Sequence, residues 1–548
     1  MQNPDGSFSC GLPPAEGGFG FLTPQECVPV NLFAPSLFSS DPNNPPTFAT
    51  QEELDFIDGV SNASTVVEQT IFGGYVGGPL FENPFFGGEI QAVAGFEWRE
   101  DSFDSGTDTV RRDGLAAGFS EDPVSFGAVD LLEFYGEVSI PLVRDVPFIK
   151  ELTFDGAVRW LNPEFTQSDV VYSLKGAYRP VDWLLLRSTF GTSYRAPNAR
   201  ETFLAGITSF VGGFADPCVV PANVQAGDPD TRDPQILANC VAQGVDPTTL
   251  GTAGVPSFTA QTSGNQNLLP ETSTAFTAGF VFDQPFTELF NASLSVSYFD
   301  IEIDDAPATL GAGAIVTTCL TSPDFANEPA CDLFNRDPGT GFIDTVQVSP
   351  LNLSLFGVEG VDINVNVSKR DIKAFGRTWA ISNDIVATLQ TGLENQFDED
   401  SPVVNSIDDI GNPRWRANFQ SRLSTGPFSV FYRFDFIDGT RDRNAGLSTE
   451  NSIGADGDFS FGGAATPVAL SANGFGVNTI DNYFEHTLSA RYAGDGWSAQ
   501  VGINNLTDRQ PPQLDQDALS GALIFNVPAG VGFDTRGRSF FVNLIKEF

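Results

Sequence analysis

From Phe290 to Tyr298 the chain reads Phe-Asn-Ala-Ser-Leu-Ser-Val-Ser-Tyr, and similar alternations of apolar and polar residues recur from about residue 64 to the terminal Phe548. Successive side chains of a strand point to opposite faces, so a period of two makes one oily face and one wet face. Repeated over many strands, it predicts an all-β transmembrane antiparallel barrel, apolar outside and polar within.

Composition agrees with one large β structure. Of 548 residues 55 are Gly and 50 are Phe, and only 18% are charged. No stretch approaches the roughly 20 apolar residues that a membrane helix needs, so crossing falls to strands. A mean hydropathy of -0.07 fits strands that are half apolar.

The formal charge of -42, from 70 acidic and 28 basic residues, excludes a nucleic-acid partner, because phosphate binding needs a basic footprint. Acidic clusters such as Asp398-Glu399-Asp400 and Asp304-Asp305 lack the ligand spacing of an EF-hand and read as solvated loops, so no metal is assigned. With His486 as the single histidine and no phosphate loop or nucleophile elbow, no catalytic residue and no cofactor are assigned either.

The cysteines, Cys10, Cys27, Cys218, Cys240, Cys319 and Cys331, show no C-x-x-C spacing and sit in polar loop contexts. Local disulfides between chain neighbours, in an oxidising compartment, are expected, although six cysteines allow 15 pairings. The start, Met1-Gln2-Asn3-Pro4-Asp5-Gly6, lacks the charged and apolar regions of an export signal, so the chain reads as a piece of something longer.

Strand windows fall near 64–78, 87–101, 129–141, 149–161, 168–179, 182–195, 271–283, 287–303, 352–369, 375–391, 413–425, 428–438, 481–493, 496–506 and 535–548. The connections take turns. Tight ones, such as Ser424-Thr425-Gly426-Pro427 and Ala493-Gly494-Asp495-Gly496, carry turn residues. The alternate ones are mostly long, near 102–128, 196–270, 304–351, 392–412, 439–480 and 507–534. Short periplasmic turns and long external loops are the asymmetry of an outer-membrane barrel. Residues 1–63 then read as an external loop segment with a disulfide, and 64–548 as barrel, with long external loops at 196–270, 304–351 and 439–480. About fifteen strands, an odd number, put the two ends on opposite sides of the membrane, whereas a complete bacterial barrel has an even count.

In the last strand Phe540, Val542, Leu544 and Phe548 share one face, and an aromatic end resembles the signal read by the barrel assembly machinery. Lys546 interrupts that face.

Val501-Gly502-Ile503-Asn504-Asn505-Leu506-Thr507-Asp508-Arg509-Gln510-Pro511-Pro512, followed by Phe533-Asp534-Thr535-Arg536-Gly537-Arg538, resembles the C-terminal signature of TonB-dependent outer-membrane receptors. Ser193-Tyr194-Arg195-Ala196-Pro197-Asn198, Asn267-Leu268-Leu269-Pro270-Glu271-Thr272-Ser273 and Gly357-Val358-Glu359-Gly360-Val361-Asp362 resemble the same family. The resemblance implies a Gram-negative outer membrane, a barrel of about 22 strands filled by a preceding plug, and uptake of a scarce solute driven through the TonB complex. Neither a plug nor a TonB-gripping motif is recognisable, and about fifteen strands leave about seven of such a barrel outside this chain. Outer-membrane lipid and a small-molecule or oligosaccharide ligand, from siderophore to carbohydrate, complete the implied partners.

Specificity is expected in the long loops. Phe210, Phe214, Asn223 and Gln235 are candidate contacts, with ordinary loop packing as the plainer role. Arg195 matches a family position at a strand end, where pairing with a lumenal carboxylate is weighed above ligand contact. Two further readings stand beside the importer: a passive porin, and a secreted all-β polysaccharide-degrading enzyme with paired carboxylates.

Overall fold

The computed structural model of the protein describes residues 30–38, 46–57, 62–83, 88–112, 122–211, 216–251, 257–396, 403–441, 459–460, 467–468, 479–513, 523–524, 527–528 and 530–547. Among them one sheet dominates. Fifteen of its strands follow in chain order, each paired antiparallel to the next: β1 (Ala63–Asn83), β2 (Gly88–Thr107), β3 (Ser125–Val146), β4 (Ile149–Pro163), β5 (Asp169–Val181), β6 (Leu184–Arg195), β7 (Glu271–Asp283), β8 (Asn291–Thr309), β9 (Pro350–Ala374), β10 (Arg377–Gln396), β11 (Trp415–Thr425), β12 (Phe428–Ile437), β13 (Tyr483–Gly494), β14 (Trp497–Asn504) and β15 (Ser539–Lys546). A sixteenth strand, Val404–Asn405, pairs with β10 off this path.

Each sequence window overlaps one of these strands, and several strands outrun their windows. β8 continues to Thr309 and β9 begins at Pro350, so part of the loop expected at 304–351 is wall.

Local chemistry sets the turns. Phe375 and Gly376 both take positive φ (53° and 70°) between the paired residues Ala374 and Arg377. That is the two-residue reversal whose twist matches the flanking strands. Between Thr425 and Phe428, Gly426 takes φ 52° ahead of Pro427.

The period of two becomes two chemically distinct faces. On one, Phe72, Phe96, Phe134 and Trp160 form a row across four strands, with ring centroids 5.9, 6.4 and 5.9 Å apart. Phe134 and Val158 on this face are each about half exposed, at 50% and 51%. So extensive an apolar surface marks contact with lipid or a partner. On the other face polar side chains link laterally: Asn418 Nδ2 donates to Asp435 at 2.5 Å, Thr388 to Asp362 at 2.7 Å, and Arg159 to Glu133 at 2.9 Å. Phe540, Val542 and Leu544 share the apolar face, in register with Ile503, Val501 and Ala499, while Phe548 lies outside the described residues.

Among the described residues neither β1 nor β15 has a second neighbour. Fourteen antiparallel steps separate them, so they run in the same direction and cannot close on each other as an antiparallel pair. No helix among the described residues is long and apolar enough to cross a membrane, which leaves strands untouched as a means of crossing.

Candidate functional site

The best-buried part of the protein lies outside the large sheet. The connections after β6 and after β8 fold together around one core that includes Cys218, Cys240, Ile315, Val316, Cys319, Leu320 and Val346. The strands Phe334–Arg336, Ile343–Val348, Phe258–Thr262 and Ile207–Val211 form its sheet in that order. Its central pair, Thr345–Val348 with Thr259–Thr262, is parallel and joins the two connections.

Disulfides join Cys218 to Cys240 and Cys319 to Cys331. Each closes a loop within one connection. The polar sequence settings of these cysteines are misleading about burial, because Cys218, Cys240 and Cys319 are fully enclosed. Cys10 and Cys27 lie outside the described residues, as do Phe214 and Asp398-Glu399-Asp400.

Packing between the two connections is specific. Arg336 forks onto Asp216 (2.5 and 3.0 Å) and donates to Gln243 at 2.8 Å. Asn239 donates to the carbonyls of Leu320 and Ser322 at 2.9 and 2.8 Å. Arg232 is held by Asp230 and by the carbonyls of Pro217, Cys218, Val219 and Pro247. Arg232 and Arg336 are therefore engaged internally, and the exposed carboxylates of the module give it an acidic surface. Hydrogen bonds from Thr340 hold the Asp337 carboxyl below its ordinary pKa, those from Thr248 do so for Asp246, and those from Arg232 for Asp230.

The module stands on a tied neck. Arg195 donates to Glu201 at 3.0 Å and to Glu271 at 3.2 Å. Asn198 and Glu201 cap the short helix Ala199–Phe203 reciprocally, as a capping box. Asn265 donates to Glu201 O and Pro350 O, Ser263 meets Ser349 at 2.9 Å, and Asn352 bonds Leu269 and Asp305. All four chain passages between wall and module are thus linked.

Arg195 pairs with carboxylates, in the geometry expected of a structural fork. Phe210 is half exposed on the edge strand Ile207–Val211, Asn223 lies in the helix Ala222–Gln225, and Gln235 donates to Asn239 at 3.1 Å. They do not converge on one pocket among those described. Sequence reasoning missed the module itself. Its detectable signal was Ala312, Ile315, Val316, Cys319 and Leu320, spaced as one face of a helix within a stretch read as loop.

The other motifs also fold tightly. Buried Asn505, at φ 49°, accepts from Arg509 N at 2.7 Å and donates to Arg509 O at 2.8 Å. Asp508 accepts from Arg538 N at 3.0 Å, which joins the two halves of the C-terminal signature. Gly360 sits opposite a bulge in β10, where Thr391 is the extra residue, and an added Cβ would lie 2.6 Å from the Phe299 ring.

The family model described as TonB dependent receptor-like, beta-barrel matches residues 32–506. Among solved structures, the fold is similar to a mutant ferric enterobactin receptor (PfeA) of Pseudomonas aeruginosa in complex with enterobactin, with 16% identity, a TM-score of 0.53, and coverage of 93% of this chain and 56% of that one. It is similar also to the siderophore receptor PirA of Acinetobacter baumannii, with 17% identity, a TM-score of 0.50, and coverage of 88% and 55%. The chain therefore spans just over half the length of these structures, and at such identities the likeness is one of fold. No curated protein sequence matches the chain.

Proposed function

The chain belongs to the TonB-dependent receptor-like β-barrel family, and from that premise we propose that it is the C-terminal part of an outer-membrane receptor that imports a scarce nutrient with energy delivered through TonB. The apolar face meets lipid and the polar face lines the lumen. The long connections, including the disulfide-stapled module, lie outside the cell, and Phe540, Val542 and Leu544 present the face read by the assembly machinery. An odd number of further strands complete the wall, about seven in a barrel of about 22, and a plug fills the lumen. The parity of the free edges supports this, because only an odd insertion lets β1 and β15 both pair antiparallel.

The observation that carries the reading is the sorting of connections. Those after β1, β3, β5, β7, β9, β11 and β13 are short, whereas the alternate ones hold the module and most of the remaining irregular chain. Membership of a receptor family sets the importer above a hydrolase.

The test is uptake by cells carrying the receptor in their outer membrane, with and without TonB. Accumulation that requires TonB and collapses with a protonophore is expected. Equal flux without either, together with steady conductance in a planar bilayer, would replace the importer with a passive channel.

A further inference from the structure

The short connection between β9 and β10 is set apart by its charge. Lys369-Arg370-Asp371-Ile372-Lys373-Ala374-Phe375-Gly376-Arg377 holds four of the 28 basic residues against one acid, in a protein whose formal charge is -42. The other short connections lack such an excess. Those after β1, β7, β11 and β13 contain no base. At the turns after β3 and β5, Lys150 meets Asp145 at 3.3 Å and Asp182 at 3.5 Å, and Arg144 and Arg179 reach Glu151 at 3.4 and 3.8 Å.

Alternation places two of the four cations on the apolar face. In β9, Asp362 and Asn366 are on the polar face, where they bond Thr388 and Asp384, so Val365, Val367 and Lys369 are on the apolar one. In β10 the same count from Asp384 puts Ile381, Trp379 and Arg377 there, with Lys369 paired to Ile381. A bulge at Arg370 and Asp371 then leaves Ile372 opposite Trp379 and Lys373 opposite Thr378.

Aromatic rings fix the depth. Ala380 pairs with Ser424, so Trp379 stands level with Thr425, the partner of Phe428. Phe428 meets Tyr492 at 4.9 Å and Tyr492 meets Trp497 at 5.2 Å, a row along the ends of the strands. Girdles of this kind lie at the headgroup level of a bilayer. Arg377, beyond Trp379 toward the turn, therefore reaches headgroup depth, and the long stem of Lys369 carries its ammonium to the same level. Both strands have neighbours on either side, so neither the strands that complete the wall nor a plug in the lumen covers this outer edge.

We infer that the β9–β10 turn docks anionic phospholipid of the periplasmic leaflet, with Lys369 and Arg377 on headgroup phosphates beside Trp379 and with Arg370 and Lys373 adding to the field. Lys369 adjoins Arg370, and Lys373 is diagonal to Arg377 across the two strands, so the backbone positions of each pair lie within the Debye length of about 8 Å and their attractions add. A lipid satisfies both halves of the site, its phosphate on the cations and its acyl chains on Val365, Val367 and Ile381, whereas a soluble anion uses only the first. The inference rests on the reading that puts the short connections in the periplasm and the apolar face in lipid, and it names a membrane partner separate from the cargo.

The test is equilibrium binding of phospholipid to the full chain folded in a non-ionic detergent, counted by native mass spectrometry. The probes are phosphatidylglycerol and phosphatidylethanolamine with the same acyl chains, which differ in net charge. The first phosphatidylglycerol is expected to bind at least tenfold tighter than phosphatidylethanolamine, with the preference shrinking as salt is raised. Replacing Lys369, Arg370, Lys373 and Arg377 together by Gln should abolish the preference. Lys150→Gln with Arg179→Gln, at turns on the same side, should leave it intact. Equal affinity for the two lipids, a preference that survives the fourfold variant, or an equal loss in the twofold one overturns the inference, as does displacement of the lipid by an equal concentration of inorganic phosphate. The comparison of the two lipids needs no variant to fold. Lipid binding requires neither energy nor cargo, so its failure leaves TonB-driven import standing, and a barrel that proved to be a passive channel would leave a measured preference standing.

Discussion

Arg195 and Glu271 face each other on the last rung of the β6–β7 pair, and the guanidinium that reaches Glu271 at 3.2 Å also reaches Glu201 at 3.0 Å on the far side. One side chain thereby ties the exit of the long connection, its first helix and its return. Arg195→Ala should leave two carboxylates facing each other and cost about 1 kcal/mol at the neck, since the fork is partly open to solvent. Trypsin cleavage at Arg232 and Arg336 in the folded protein measures this, and a cleavage rate equal to that of the unaltered chain would show that the fork holds nothing. Glu271→Gln, which keeps one acceptor, should lose less.

The wall was legible because every strand of a barrel meets two different solvents, so runs such as Leu132, Phe134, Val138 and Ile140 against Glu133, Glu137 and Ser139 carry their environment in their spacing. Arg195 was legible as half of a pair but not as a fork, since Glu201 and Glu271 are named only by three-dimensional proximity. The module was not legible. Its core joins Val346 to Ala260 through parallel strands from separate connections, and nothing local specifies that pairing.

Arg336 and Asp216 form a bidentate pair with side-chain exposures of 6% and 11%, across the boundary between the two connections. Removing one partner strands a buried charge, so Arg336→Met alone should destabilise the module by about 3–5 kcal/mol. The double variant Arg336→Met with Asp216→Leu should recover most of that loss. Urea unfolding followed by module-specific proteolysis distinguishes the cases. A double variant as unstable as the single one would mean that the arginine's links to Gln243 and Gly341 matter more than the charge pair.

The disulfides close loops of 22 and 12 residues. Chain-entropy arguments give each roughly 3 kcal/mol of stabilisation, largely through the unfolded state. Replacing Cys319 and Cys331 together by Ser should therefore loosen the module while the wall, which contains neither, keeps its resistance to heat in a semi-native gel. Loss of both at once would show that the wall depends on the module to fold.

Acid should open the module from its surface carboxylates. Asp337, Asp246 and Asp230 are held below their ordinary pKa by Thr340, Thr248 and Arg232 respectively. A carboxyl whose folded pKa is depressed contributes stability that is complete above its unfolded value, about 4, and is lost as pH falls through the lower folded value. Stability of the module should thus be flat near neutrality and fall below about pH 4. Cys218 and Cys240 supply the readout, because their sulfurs are enclosed and react only when the module opens. Their rate of reduction by a phosphine, which acts in acid as well as at neutral pH, should rise steeply in that range. Asp337→Asn should raise the rate at pH 7 and converge with the unaltered protein in acid. A variant that stays faster by the same factor at every pH would show that Asp337 acts through its loop geometry, independent of its charge.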